Sequence, residues 1–469
     1  MVLDKPGKAS YDSPASFRII VLLKTISKIL ERVMMVRLSA IARSKGLLPH
    51  NQCGSLPGLS SYDACLTLTH EVKTLPRPRL KVSTLFLDIK AGFDNVNAST
   101  LRTRLLASHV PFYMVDWVSS FLSERTCTLS FQDSAHLSSP VSVGTPQGSP
   151  ISLLLVLLYV SPLHMSIPRG LMISYVDDCS ITVASPSHGS NIHKLQRLFA
   201  TVAARGRDIS VSFSVPITEL IHWRTPSQRS PPSMAPIELE GHLFQPSKVV
   251  RWLGYWFTHT LNTTHHFRHR LSLAQAIFSF VKRLSSPGAG VRPSLCHHIA
   301  NGLLLPILTY GADLLTPNSS KLRGMNSFWH RVQRWTTNNC VSTPTSILSR
   351  EACLPPVVSY CRYSRGLAAL RVAYAPPYAK PASAKLPQSF PSLSSFRAQH
   401  SSRHLKIGLS SVYLPLSWNT KIPSPPTRKH LLVDALALFT QPLQEGLTRL
   451  PHVLLAPPPL GRISPPPSS

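Results

Sequence analysis

The sequence predicts an α+β body, a helical region behind it and a basic, proline-rich tail. Three observations predict this. A β-branched apolar run at 81–89 carries an acid near its end, two more strand-like runs at 171–176 and 179–184 are joined by only two residues, and helical periodicity lies on either side of them. With 469 residues, 43% of them hydrophobic, the chain has length for two or three domains or for one multi-lobed body.

In chain order, residues 17–41 place Leu23, Ile26, Leu30, Val33, Leu38 and Ile41 on one helical stripe, which predicts an amphipathic helix with that stripe inward. Residues 81–89 read as a largely buried strand ending at Asp88 and Ile89. Gly144 to Gly148 reads as a tight loop, with Ser149 as N-cap and Pro150 as the first residue of an apolar helix. The runs on either side of Asp177 and Asp178 have hairpin spacing, with both acids at the turn. From 264 to 338 helical patterns dominate, and Arg268, Arg270, Lys282 and Arg283 lie among apolar positions as in a basic helical lobe that could flank a duplex.

Beyond about 355 the character changes, because 19 of the 43 prolines fall in 355–469 among many serines. Such composition cannot easily build a core, so much of that tail is expected to be poorly ordered. The expected divisions are therefore 1–258, 259–340 and 341–469.

Lys and Arg number 49 against 20 Asp and Glu, a formal charge of +29, which favours a polyanionic partner and makes nucleic acid the first candidate. The eight cysteines form no CxxC pair, which argues against a disulfide framework or a zinc ribbon. His265, His266 and His269, with Cys296, His297 and His298, fit no standard zinc spacing. The start lacks an apolar signal region and no apolar run is long enough to cross a bilayer, so a soluble, unprocessed protein without membrane association is expected.

Acids at strand ends and hairpin turns are ordinary taken singly. Asp88, Asp177 and Asp178 become informative in combination, since carboxylates from neighbouring strands would converge at one edge and offer hard oxygen ligands to divalent cations.

The ordered blocks Phe86-Leu-Asp88-Ile-Lys-Ala-Gly-Phe93-Asp94-Asn-Val96, Gly144-Thr-Pro-Gln-Gly-Ser-Pro150 and Tyr175-Val-Asp-Asp178 resemble the three central motifs of reverse transcriptases, specifically those of non-LTR (LINE-type) retrotransposons. Flanking segments extend the resemblance over about residues 15–340: Phe17-Arg18-Ile-Ile, Gln52-Cys-Gly54, Ser120-Phe-Leu-Ser-Glu-Arg125 and Val250-Arg-Trp-Leu-Gly254. A four-residue YxDD pattern alone is weak, whereas three blocks in family order are specific.

That resemblance implies a right-hand polymerase, with fingers and palm to about 258, a thumb-like helical region to about 340, and RNA-templated DNA synthesis from dNTPs on a DNA primer. It implies Asp88 and Asp177 as ligands of two Mg²⁺ ions, with Mn²⁺ as a substitute, Asp178 as an accessory acid and the Ile89 carbonyl as a further ligand. Phe93 would pack under the incoming sugar, and Gln147, Gly148 and Tyr175 would border the nascent base pair. Arg18, Lys81 and Lys90 are candidates for the triphosphate, and Arg125, Arg268, Arg270, Lys282 and Arg283 for nucleic-acid phosphates. Residence in the nucleus follows from the family's use of chromosomal DNA as primer. The first block begins near Arg18, so a copy without an upstream endonuclease is expected.

The chain departs from the family pattern at several positions. Ser55 to Ser60 lacks the arginines common after Gln52-x-Gly54, Ile217 stands where a lysine usually precedes Thr-Glu, Leu153 replaces a common proline, and Cys179 replaces an apolar or aromatic residue. Two alternatives therefore stay open beside an active enzyme: a catalytically silent nucleic-acid-binding remnant, and an RNA-dependent RNA polymerase, which would not be expected to carry a residue as bulky as Phe93 at the sugar.

Overall fold

A computed structural model of the chain describes most of residues 2–373, apart from short stretches of which 225–233 and 285–291 are the longest; residues 374–469 lie outside the described part. Its centre is an antiparallel sheet built on β3 (Lys81–Lys90). β5 (Asp178–Ser185) runs along one side of β3 and is joined by a two-residue turn to β4 (Met172–Tyr175), while β6 (Ser212–Phe213) and β7 (Glu219–Trp223) pair with the other side.

Side chains alternate along a strand, so β3 serves two cores at once. Leu85, Leu87 and Ile89 join the core behind the sheet, whereas Val82 and Phe86 join the core in front. Behind lie α5 (Ser152–Met165), apolar on all sides and almost wholly buried, and α6 (His188–Arg207), whose Ile192, Leu195, Phe199 and Val202 form the inward stripe. In front lie α2 (Ser61–Thr74), opened by a reciprocal Ser60–Asp63 capping box, and the hairpin β8 (Val249–Trp252) and β9 (Tyr255–Thr258).

Helices α7 (Thr264–Leu284), α8 (Ser319–Thr337), α9 (Thr345–Glu351) and α10 (Val357–Ala373) complete the front core. The expected boundary at 340 is too early. Leu354, Val357 and Cys361 are buried against the same core as Phe328 and Trp329, and Gln333 on α8 donates to Ser349 Oγ and Leu354 O. Apolar residues scattered among prolines at 352–361 had concealed that continuity.

Helix α1 (Thr25–Ser44) also departs from expectation. It buries Glu31, Met34, Leu38 and Ala42, while Ile26, Leu30 and Val33 of the expected inward stripe face solvent. The helix carries apolar residues on two opposite sides, and periodicity by itself does not say which side meets the body.

Candidate active site

Three acids meet at one end of the sheet, and strand register explains how. Asp88 is directly opposite Asp178 in the β3–β5 pair, and residues opposite one another in an antiparallel pair share a face. That face is the front one, continuing Val82, Thr84 and Phe86. Asp177 occupies the β4–β5 turn, where its carbonyl accepts from the Ile89 N–H at 3.2 Å. The turn acids of the hairpin therefore separate into a loop residue, Asp177, and the first residue of a strand, Asp178.

Carboxyl charge has accumulated here. Burial, then Asp177, raises the Asp88 carboxyl above the usual range, and a hydrogen bond from the Ser214 side chain works in the opposite direction. Asp178 is pushed up to about 7 by burial and by the nearby Asp177 and Asp88. Such a cluster fits a divalent cation, whose charge would relieve both causes. Among the described residues no three His, Cys, Asp or Glu side chains form a ready cage.

The turn itself is strained. Val176 has φ 64°, a left-handed conformation unfavourable for a β-branched residue. Gln52 holds it there, since its buried Oε1 accepts from the N–H groups of both Val176 and Gly54. A Cβ on Gly54 would come within 2.5 Å of Val176 Cγ2, so only glycine fits against the turn. The sequence resemblance included Gln52 and Gly54 without assigning them this work.

The loop 144–149 is fixed from three sides. Thr145 N–H donates to Phe93 O, Val21 N–H donates to Gln147 O at 2.7 Å, and Ser149 Oγ donates to Glu31 Oε2 at 2.5 Å. Ser149 is not the expected N-cap, for α5 begins at Ser152 with no side-chain cap. Its hydroxyl accepts from the Ile151 N–H at 3.3 Å and donates to Glu31, a buried acid that sequence reasoning missed because it looked like one more charged residue on a surface helix. Gly148 has φ 124°, and a Cβ there would meet Val21 O at 2.6 Å.

Phe93 is half-buried beside this loop, Gln147 and Tyr175 are half-buried, and Gly148 and Lys90 are exposed. Ile217, at the position where the family pattern carries lysine, is 62% exposed. Lys81 is at the opposite end of β3, seven residues or roughly 23 Å from Asp88, too far to share a triphosphate with it. The Arg18 side chain lies outside the described residues, although its backbone pairs with Leu3.

Two of the expected phosphate contacts are engaged within the protein. Arg125 directs its guanidinium at the carbonyls of Leu122, Val143 and Gly144, bracing the entrance to the loop. Arg270 donates to Gly254 O and stacks over the Tyr310 ring at 4.2 Å. Arg268, Lys282 and Arg283 are exposed on α7. His266 is structural: it accepts from Trp256 N–H through Nδ1 and donates to Tyr310 O through Nε2, and burial lowers its pKa to about 4. Cys179 is buried among apolar residues with His164 Nε2 at 3.4 Å from its sulfur.

With a central antiparallel sheet, an acid-bearing hairpin turn and a strand acid beside it, the chain has the framework of a nucleotidyl-transferring polymerase. It belongs to the family described as reverse transcriptase (RNA-dependent DNA polymerase), which matches residues 3–257. Relatives in Drosophila melanogaster include the probable RNA-directed DNA polymerase from transposon BS, 28% identical over 57% of this chain and 30% of its own length. The RNA-directed DNA polymerase from mobile element jockey is 24% identical over 67% of this chain and 34% of its own. The chain thus spans only about a third of the curated relatives it matches. Among solved structures, apo telomerase from Candida tropicalis aligns with 88% of this chain and 61% of its own at 12% identity and a TM-score of 0.39, a loose likeness that fixes no detail. No helix among the described residues is long and apolar enough to cross a membrane.

Proposed function

We propose that this chain is the polymerase segment of a LINE-type retrotransposon reverse transcriptase, adding dNTPs to a primer 3′-hydroxyl on an RNA template. The observation that carries the reading is the meeting of Asp88, Asp177 and Asp178 at one sheet end, beside the loop that presents Gln147 and Gly148. In this reading Asp88 and Asp177, with the Ile89 carbonyl, hold two Mg²⁺ ions, and Mn²⁺ substitutes. When bound, these ions supply activation of the attacking oxygen and neutralisation of charge on the departing pyrophosphate.

Asp178 supports the ligand pair, and the half-buried Phe93 ring lies under the sugar, where it disfavours a 2′-hydroxyl. Gln147 and Gly148 border the nascent base pair, with Tyr175 behind them. Lys90 is the candidate cation for the triphosphate. Exposed Arg268, Lys282 and Arg283 on α7 face the duplex phosphates. Work on chromosomal DNA as primer places the protein in the nucleus.

The test is primer extension on an RNA template with Mg²⁺, comparing the chain with its Asp177→Ala/Asp178→Ala variant and comparing dNTPs with NTPs. Extension with dNTPs that the variant loses supports the reading. Preferential use of NTPs would make it an RNA polymerase, and no extension by folded wild-type protein would leave a nucleic-acid-binding remnant.

A further inference from the structure

The solvent side of α1 carries a pattern that the polymerase reading does not use. Ile26, Ile29, Val33, Val36 and Ala40 follow one another at spacings of three, four, three and four, the apolar repeat of a coiled-coil seam. The four larger residues are 82%, 64%, 44% and 56% exposed, so the seam has no partner among the described residues. The opposite side of the helix is buried and holds Ser149 through Glu31, so α1 is apolar on two sides and covered on one. Contiguous exposed apolar surface of this kind marks an interaction site.

Charge narrows the occupant. Lys24, Lys28, Arg32 and Arg37 are the charged residues on and just before the exposed part of this helix, its one acid, Glu31, is buried, and none of the four forms an ion pair among the described residues. A second copy of α1 offers only arginines, Arg32 and Arg37, beside the seam and would set Arg32 against Arg37 in a parallel pair, and like charges flanking a seam select against pairing. A nucleic-acid strand would suit the cations and leave the apolar row uncovered. We infer that the outer face of α1 is a docking seam for an amphipathic helix of a protein partner with acidic flanks. This holds whether or not the chain polymerises.

Two synthetic helical peptides of about three heptads, with identical Ile/Leu seams but Glu or Lys at the flanks, would be titrated onto the full chain by fluorescence anisotropy. The Glu-flanked peptide is expected to bind at least about tenfold more tightly. Ile29→Ser/Val33→Ser should abolish that binding, and Arg32→Glu/Arg37→Glu should reverse the preference. Failure of both peptides to bind, binding that survives the seam variant, or displacement by stoichiometric single-stranded RNA would overturn the inference. So would a wild-type dimer in sedimentation that the seam variant dissolves, since the occupant would then be a second copy. Should the seam variant fail to fold, the charge reversal alone decides.

Discussion

Behind the central sheet, Leu85, Leu87 and Ile89 of β3 meet Cys179, Ile181 and Val183 of β5; in front, Thr84 and Asp88 meet Thr182 and Asp178. The same two strands build both faces from alternate residues, yet towards the acid end the back face is apolar and the front collects polar groups; at the far end the back face has its own buried network, in which Ser83 Oγ bonds His222 Nδ1 and accepts from Asn191 Nδ2. Thr84 Oγ1 bonds Thr182 Oγ1 at 2.9 Å and accepts from Trp223 Nε1 at 2.8 Å, so the front face is polar even where it is fully buried. The back face makes the sheet rigid. The front face places charge on that rigid support, which is what a site needing sub-ångström ligand placement requires.

The comparison is sharpest where function and stability separate. Asp88→Asn on the front should lower primer extension at least about a thousandfold, ~4 kcal/mol of transition-state stabilisation. Its melting temperature in metal-free buffer should be no lower than wild type, because a carboxylate held by burial beside Asp177 is removed. Parallel losses of activity and melting temperature would mean that Asp88 is architectural.

Glu31 tests how far the front depends on its supports. Glu31→Ala frees the Ser149 hydroxyl and should reduce kcat/KM by roughly 10- to 100-fold, while Glu31→Gln, still able to accept from Ser149, should retain most of it. Equal losses in the two variants would show that the bond does not set the loop. Ile217→Lys, at an exposed position, should raise kcat about tenfold by restoring a proton donor for pyrophosphate. An unchanged rate would show that the chain does without one.

On the back, Leu87→Ala should cost about 2–5 kcal/mol in denaturant unfolding, because a fully packed side chain is removed. Extension per folded molecule at low temperature should change little. If this variant instead lost turnover while keeping stability, the division of labour between the faces would be wrong.

The legibility of the sequence followed the same division. Strand β3, the acid hairpin and the loop 144–148 were readable because runs of β-branched and apolar residues and turn chemistry are local, and register then brought Asp88 and Asp178 together. What was not readable depended on which surface meets which. The inward side of α1, the use of Arg125 and Arg270 on carbonyls, and the continuation of the front core to Val357 and Cys361 are tertiary choices between locally equivalent options. Ser149 is the clearest case: its oxygen accepts from a backbone N–H, a role turn chemistry suggests, while the acceptor for its proton, Glu31, is set by the position of α1.

Glu71 on α2 gives the smallest effect and a direct measure of the front core's polarity. Its side chain is buried, neither carboxylate oxygen has a hydrogen-bond partner among the described residues, and burial raises its pKa to about 8. A carboxyl whose folded pKa exceeds its unfolded value contributes full stability below the unfolded value of about 4.5, and that contribution is lost as pH rises towards 8. Glu71→Gln removes the ionisation, so it should melt within a degree or so of wild type near pH 5 and a few degrees above it near pH 8. A difference that stayed constant across that range would mean that Glu71 finds a partner when charged. The front core would then tolerate an ion as well as the carboxylate end of the sheet does, and the contrast between its packed middle and its reactive edge would disappear.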